Sequence, residues 1–255
     1  MILGRHGEFS QNDMTKTFKY ATAMGINAVA IFVKPPQQWT GRDFTEKELG
    51  VWHANKPSDL YICAHSGYFI NIAGGEHKSK FALLHEARRC SKLGINQLVV
   101  HPGSSLGKSL DEGIATAIKS LQDLVSRWPQ DVELLLETMA GQGSYLSSIK
   151  SLKEVIAGVP EIPMGVCYDT AHSHGYGVNL LLTDEIYDPA IKLFHINDSE
   201  VPYNSKKDRH ASLGAGTIPM SAFKRIAQIE GVPFIMETPL GNEQYDLEVF
   251  RALAN

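Results

Sequence analysis

Eight short apolar runs alternate with helical patterns along this chain, and that alternation limits the fold more than any other feature. The runs lie at Met1–Leu3, Ala28–Val33, Leu60–Cys63, Gln97–Val100, Val132–Leu136, Met164–Cys167, Ile191–Phe194 and Phe234–Met236. Near-continuous apolar runs, rather than alternating ones, mark parallel strands covered on both faces. Between them, helical spacing occurs at 13–24, 45–53, 78–93, 110–125, 147–157, 220–229 and 244–253. In 110–125, the residues Leu110, Ile114, Ala117, Leu121 and Leu124 fall on one face, with Asp111 and Glu112 in the first turn. Asp13 is the expected N-cap of 13–24. The segment 174–190 reads as a long loop with room for one helix. Gly25 and Gly94 follow helices in two similar strings, Met24-Gly25-Ile26-Asn27 and Leu93-Gly94-Ile95-Asn96, where a left-handed residue is needed. Eight such units predict a single (β/α)8 TIM barrel over residues 1–255. A doubly wound sheet is the alternative, but the chain has no GxGxxG turn.

Composition narrows the classes further. At 255 residues, with 43% apolar and 20% charged, the chain can build a large core. The formal charge is −4 and no basic tail exists, which excludes nucleic-acid binding through gross net charge. A local basic patch or bound metal ions could still supply it. Cys63, Cys90 and Cys167 are too few and too scattered for a disulfide framework or a zinc ribbon, so reduced, structural thiols are expected. The opening string MILGRHGEF lacks a long apolar stretch, and AVAIFV at 28–33 is too short to span a bilayer. The expectation is a cytoplasmic protein, monomeric and without a membrane partner.

The residues that follow the strands carry the chemistry. His65, His101, Glu137, Asp169 with His172, His195 and Glu237 follow or end six successive runs, and Asp208 and His210 lie in the loop after the seventh. In a barrel these positions share the C-terminal mouth, where active sites form. One histidine at a strand end is usually a hydrogen-bonded structural residue, and one glutamate is often an ion-pair partner. Recurrence at the same register in six strands is different. Buried carboxylates without partners are costly, and metal is the natural compensation. Imidazole and carboxylate without thiolate suit zinc, manganese or iron, and nine ligands suit two or three ions. His53, His77, His85 and His174 read as structural. His6 follows the first strand and is either structural or a supporting group beside the ligands.

These strings also form a recognisable set. HPGSS at 101–105, ETMAGQGS at 137–144, GVCYDTAHSHGYG at 165–177, HINDS at 195–199, KDRHASLGAG at 207–216 and MET at 236–238 occur in that order. Together they resemble endonuclease IV, the zinc-dependent abasic-site DNA endonucleases, over about residues 1–240. The resemblance implies three zinc ions per chain, with manganese possible at some subsites. It implies a first set of His65, His101 and Glu137, a second of Glu137, Asp169, His195 and Glu237, and a third of His172, Asp208 and His210. Glu137 and Glu237 would be the catalytic carboxylates. The implied substrate is double-stranded DNA with an abasic site, cut on its 5′ side to leave a 3′-hydroxyl. Metal lowers the pKa of bound water, so no covalent protein intermediate is needed.

The implied DNA contacts are Gln38 and Trp39 in KPPQQW at 34–39, Tyr68 three residues after His65, and the basic cluster Lys206, Lys207 and Arg209. The chain departs from the family pattern at Pro35, Gln37, Met139, Ala171, Glu200 and Asn204. Three Zn²⁺ ions would add +6 to the formal −4, leaving +2. Two other readings compete: a metal-dependent sugar isomerase or epimerase on the same barrel, and a lesion-binding protein without catalysis. The Asp208-x-His210 pair and the HPGS string favour the nuclease over the isomerase, and the complete ligand set argues against a silent binder.

Overall fold

The structure is a computed structural model that describes residues 1–142 and 146–254. Gly143 and Ser144 of the ETMAGQGS string lie outside the described residues. Eight parallel strands close a barrel: β1 (Leu3–His6), β2 (Ala28–Phe32), β3 (Tyr61–His65), β4 (Gln97–Val100), β5 (Glu133–Glu137), β6 (Met164–Asp169), β7 (Ile191–Ile196) and β10 (Phe234–Met236). Neighbours follow chain order, and β10 closes on β1 through Leu3–Phe234 and Arg5–Met236. Helices α1 (Lys16–Met24), α2 (Glu46–Asn55), α3 (His77–Leu93), α4 (Leu110–Gln122), α5 (Ile149–Ala157), α6 (Thr170–Tyr176), α7 (Met220–Ala227) and α8 (Glu243–Leu253) follow the strands in turn. A two-residue antiparallel pair, β8 (Asp198–Ser199) with β9 (His210–Ala211), stands in the excursion after β7.

The core has two layers. Inside the barrel sit Ala28, Ala30, Cys63, Val99, Leu135, Cys167, Leu193 and Ile235, all fully buried. These small and branched residues fill the interior, so the barrel is a packed body and not a pore. Gly4 belongs here for steric reasons: a Cβ at that position would sit 1.6 Å from the Ala28 carbonyl oxygen. The second layer lies between strands and helices. Trp52 of α2 is wholly buried there, donates Nε1–H to the Leu93 carbonyl at 2.8 Å, and meets Phe18 at 4.7 Å between ring centres. The three cysteines are free and buried, and burial pushes the Cys63 thiol up to about 12, which fits a structural role.

Several expectations change in detail. The first strand is Leu3–His6, not Met1–Leu3; Met1 and Ile2 are exposed, and the barrel strand instead runs through Gly4, Arg5 and His6. Asp13 does not cap α1. Thr15 occupies the cap, and Asp13 accepts from the Thr15 N–H at 3.0 Å and its hydroxyl at 2.7 Å, making a turn before the helix. The 110–125 helix stops at Gln122 and gives way to a 3-10 turn at Val125–Arg127. The 174–190 segment begins inside α6 and holds a 3-10 turn at Glu185–Tyr187. The glycine readings hold, since Gly25 and Gly94 take φ of 62° and 60°.

Trp52→Ala is expected to lower unfolding stability by about 3–5 kcal/mol, the usual result of emptying a large aromatic site. Urea denaturation measures the loss. Metal content at the barrel mouth should be unchanged, because Trp52 packs in the outer layer.

Candidate metal centre

Every barrel strand ends at one face, and six strand ends bring the nine residues together there. Glu137 is the hub. It terminates β5 and is wholly buried. Its Oε2 lies 3.1 Å from His65 Nε2 and 3.1 Å from His101 Nε2. Its Oε1 lies 3.1 Å from His195 Nδ1 and 3.2 Å from His172 Nδ1. His195 Nδ1 is also 3.3 Å from Glu237 Oε2. Asp208 bridges His172 to the remaining histidine, at 3.2 Å from both His172 Nε2 and His210 Nε2. His210 Nε2 also lies 3.9 Å from Asp169 Oδ2.

Local chain geometry explains how these side chains reach one space. His65, Glu137 and Asp169 are the last residues of their strands, while His101 and Glu237 come one position after theirs. Asp169 has two tasks. Its Oδ1 accepts from the His172 N–H at 2.7 Å, capping α6, and its Oδ2 accepts from Asn197 Nδ2 at 2.6 Å. The short β8–β9 pair returns the chain so that Asp208 and His210 face the mouth.

The electrostatics describe a mutually charged cluster. For His65, Glu137, His172, His195, Asp208, His210 and Glu237, burial opposes charge but attraction between neighbours prevails. His101 and His195 hold the Glu137 carboxyl well below the usual carboxylate range, against the burial penalty. Glu237 is likewise brought down to about 2, and Asp208 is lowered by His172 and His210. Conversely, burial would lower His65 and His210, yet Glu137 and Asp208 raise them to about 9; His172 and His195 are also raised. Ionised carboxylates surrounded by proton-holding imidazoles are a donor set that cations can enter by displacing those protons. The ring nitrogen His195 Nε2 is buried without a hydrogen-bond partner among the described residues, while His172 Nε2 and His210 Nε2, also buried, face the Asp208 carboxylate at 3.2 Å. The oxygen and nitrogen donors fit zinc.

Four groups each place their ligand atoms within 4.8 Å of one another: His65, Glu137 and His195; His101, Glu137 and His172; Asp169, His172 and His210; and Glu137, Asp169, His195 and Glu237. The last is the second set implied by the sequence. His65 and His101 share Glu137 Oε2 but fall in different threesomes, and Asp208 joins the cluster through its two histidines. A cleft of about 390 Å³ opens over them, lined also by Arg5, His6, Phe32, Tyr68 and Leu240. A larger hollow, of about 930 Å³, lies at the opposite end of the barrel and has no histidine in its wall.

The residues expected to touch DNA are less uniform. Tyr68 is exposed at the cleft and meets Phe32 edge-on at 5.3 Å. Gln38 is exposed; Trp39 is half-buried, with its ring 5.5 Å from Phe69 and the Lys78 ammonium 4.4 Å above it. Lys206, Lys207 and Arg209 are exposed, but the Lys206 ammonium bonds to the Tyr176 carbonyl and lies 4.2 Å over the Tyr176 ring. The Arg209 guanidinium bonds to the Asp208 carbonyl. His6 lines the cleft 4.5 Å from the Phe32 ring, and burial lowers it to about 4. His53, His85 and His174 pair with Lys92, Gly41 and Thr217, as structural histidines do. Sequence reasoning missed Asn197. Fully buried, it donates to Asp169 and accepts from the Glu237 N–H at 3.0 Å, fixing two of the carboxylates. Its place in HINDS, two residues past His195, was the available signal. Phe69, beside Tyr68, was missed as well.

A closed barrel with nitrogen and oxygen ligands crowded at its C-terminal mouth defines a metal-dependent TIM-barrel enzyme. The profile of the family described as "Xylose isomerase-like TIM barrel" matches residues 18–253. The chain is 31% identical to "Probable endonuclease 4" of Aquifex aeolicus, over 99% of this chain and 97% of that protein. It is 34% identical to "Apurinic-apyrimidinic endonuclease" of Caenorhabditis elegans, over 87% of this chain and 62% of that protein. The crystal structure of endonuclease IV from Thermus thermophilus superposes with a TM-score of 0.81 at 28% identity, covering 99% of this chain and 98% of that one. The chain belongs to the endonuclease IV family.

Glu137→Ala should weaken metal binding by about tenfold or more, because it removes the carboxylate that four imidazoles face. Metal content by plasma mass spectrometry checks this. Full occupancy in that variant would remove Glu137 from the centre of the site.

Proposed function

We propose that this protein hydrolyses the phosphodiester on the 5′ side of an abasic site in double-stranded DNA and leaves a 3′-hydroxyl. The reading rests on one observation above the rest: Glu137 joins imidazoles from three separate strand ends and the first turn of α6 at the floor of an open cleft. Identity to relatives named for endonuclease 4 and for apurinic-apyrimidinic endonuclease supports it. Three zinc ions are the proposed cofactor, with manganese able to fill some subsites. His65, His101 and Glu137 would hold the first; Glu137, Asp169, His195 and Glu237 the second; and His172, Asp208 and His210 the third. When bound, such ions acidify water and neutralise charge on the phosphate and on the leaving oxygen.

The chain's own residues do the rest. Glu137 and Glu237 are the catalytic carboxylates, kept ionised by the histidines around them. Asn197 holds Asp169 and the Glu237 backbone so that both carboxylates stay aimed at the cleft. Tyr68 offers an exposed ring beside the site, suited to stacking where a base is missing. Gln38 and Trp39 approach the duplex from the neighbouring loop, and Lys206, Lys207 and Arg209 approach its backbone. No helix among the described residues is long and apolar enough to cross a membrane. We assign the activity to a cytoplasmic monomer. A 3-keto-D-glucoside 4-epimerase from E. coli shares the fold, with a TM-score of 0.70 at 16% identity, but that likeness speaks only to architecture. The Asp208–His210 arm, which gives the site a third subset of ligands, has no evident task in sugar epimerisation.

The test is single-turnover incision of a duplex carrying one abasic site, with and without a chelator. Incision 5′ to the lesion, lost on chelation and restored by zinc, is expected; turnover of a ketose without DNA cleavage would replace this reading with the epimerase. Asp208→Ala should cut more slowly by about a hundredfold, as expected when one stabiliser of developing charge is removed. Its affinity for abasic DNA should stay near wild type. A Lys206→Ala, Lys207→Ala and Arg209→Ala variant should flatten the salt dependence of binding by about 0.9 log units for each phosphate it no longer neutralises. An unchanged slope would make the cluster a solvated loop.

A further inference from the structure

The loops that carry Gln38, Trp39 and Tyr68 are joined underneath by a buried ion pair. Lys34 follows β2, and Glu86 lies on α3. Their side chains are each 1% exposed, with Nζ 3.0 Å from Oε1. Such a pair is weak evidence for stability, because desolvating two charges offsets much of their attraction. What distinguishes this one is where its remaining hydrogen-bonding capacity goes. Lys34 Nζ also donates to the Gln38 carbonyl at 2.6 Å, inside the first loop. Both Glu86 oxygens accept the Gly67 N–H, at 3.1 and 3.2 Å, inside the second. Each charge therefore grips the backbone of one loop, at or beside a residue expected to meet DNA.

Direct contacts between the loops complete the joint. The Tyr68 N–H donates to the Pro36 carbonyl at 3.2 Å, and the Trp39 and Phe69 rings meet at 5.5 Å. The fit leaves no slack: a Cβ on Gly67 would stand 2.7 Å from Lys34 Nζ and 2.9 Å from the Pro36 oxygen. Lys34 itself cannot serve as a phosphate ligand from this position, since its ammonium is enclosed and already bonded on both sides.

We propose that Lys34 and Glu86 are positioning residues that lock the two recognition loops into one rigid reading surface, so that DNA affinity depends on a pair that never touches DNA. The proposal rests on the abasic-endonuclease reading for its DNA arm, but not for the joint itself. Locking the loops before binding removes the ordering entropy that binding would otherwise have to supply.

The experiment uses the full-length, zinc-loaded protein with Lys34→Met, Glu86→Gln, Gly67→Ala and the double variant Lys34→Met/Glu86→Leu. The double variant removes both charges together and should melt within about 5 °C of wild type, as replacement of a buried pair by apolar residues commonly allows. It should nevertheless raise Kd for an abasic duplex by about tenfold, with the saturating single-turnover rate and the zinc content unchanged. The salt slope should also stay the same, because every phosphate partner is retained. In the DNA-free protein, Glu86→Gln should speed amide exchange at Gln38 and Trp39, residues it does not touch, as well as at Gly67 and Tyr68. Exchange confined to 67–68, or unchanged affinity in a folded double variant, overturns the proposal. A slope reduced by about 0.9 would assign Lys34 to phosphate and overturn it too. Wild-type protein that fails to bind or cut abasic DNA would sink the function reading alone, and the exchange arm would still decide the joint.

Discussion

A carboxylate at the bottom of an open barrel mouth, faced by four imidazoles, is the interaction around which the rest of this molecule is arranged. Glu137 is fully buried and has a ring nitrogen within 3.2 Å on each of four sides. No single element could place those groups. Three of the histidines come from strand ends on β3, β4 and β7, and the fourth from the first turn of α6. The parallel barrel solves the problem because its strands all point the same way, so side chains distant in sequence meet at one end. The interior beneath is filled by small apolar residues such as Ala28, Ala30, Cys63 and Cys167, which leaves the polar cluster as a distinct upper layer.

That division between an apolar interior and a polar mouth governs what could be read from sequence. The strands show as apolar runs because both faces are covered, so their number and order are legible. Their C-terminal ends are not, because the last barrel residues are the functional ones and are polar. Leu60–Cys63 looks complete as a run, yet β3 continues through Ala64 to His65. The first strand is the extreme case, with Arg5 and His6 inside it and the apolar Met1 and Ile2 outside. Here tertiary burial, and not hydrophobicity, decides which residues belong to the sheet. The nine clustered residues were legible for the converse reason: polar residues recurring at one register stand out against apolar runs.

The supporting residues were harder to see because their roles depend on pairing across long stretches of chain. Asn197 looks like any loop amide until Asp169 and Glu237 are placed on either side of it, 28 and 40 residues away in sequence. Lys34 and Glu86 are an extreme instance. Lysine and glutamate are residue types that normally stay in water; in the fold both side chains are 1% exposed. Asp13 went the other way. Its type suits a helix cap, but a turn formed with Thr15 satisfies it first.

An acidic chain that acts on DNA must still hold a polyanion. The sequence offers the cluster Lys206, Lys207 and Arg209, and Lys34 at the start of the neighbouring loop; the cluster, Lys207 included, is exposed. In the structure Lys34 is buried against Glu86, Lys206 packs on Tyr176, and Arg209 is bonded to the Asp208 carbonyl. Lys34, Lys206 and Arg209 thus also help to fix loops in place. Cations bound at the cluster would supply positive charge where the scissile phosphate must sit, and would leave the rest of the chain, formally neutral once the four cluster carboxylates are set aside, with no net pull on undamaged DNA. Grip would then come from rigid aromatic loops at the lesion, and charge from the metal centre. On this division, discrimination for a missing base does not require a basic protein. It requires a mouth whose charge is concentrated at one point and whose reading loops are held still before the DNA arrives.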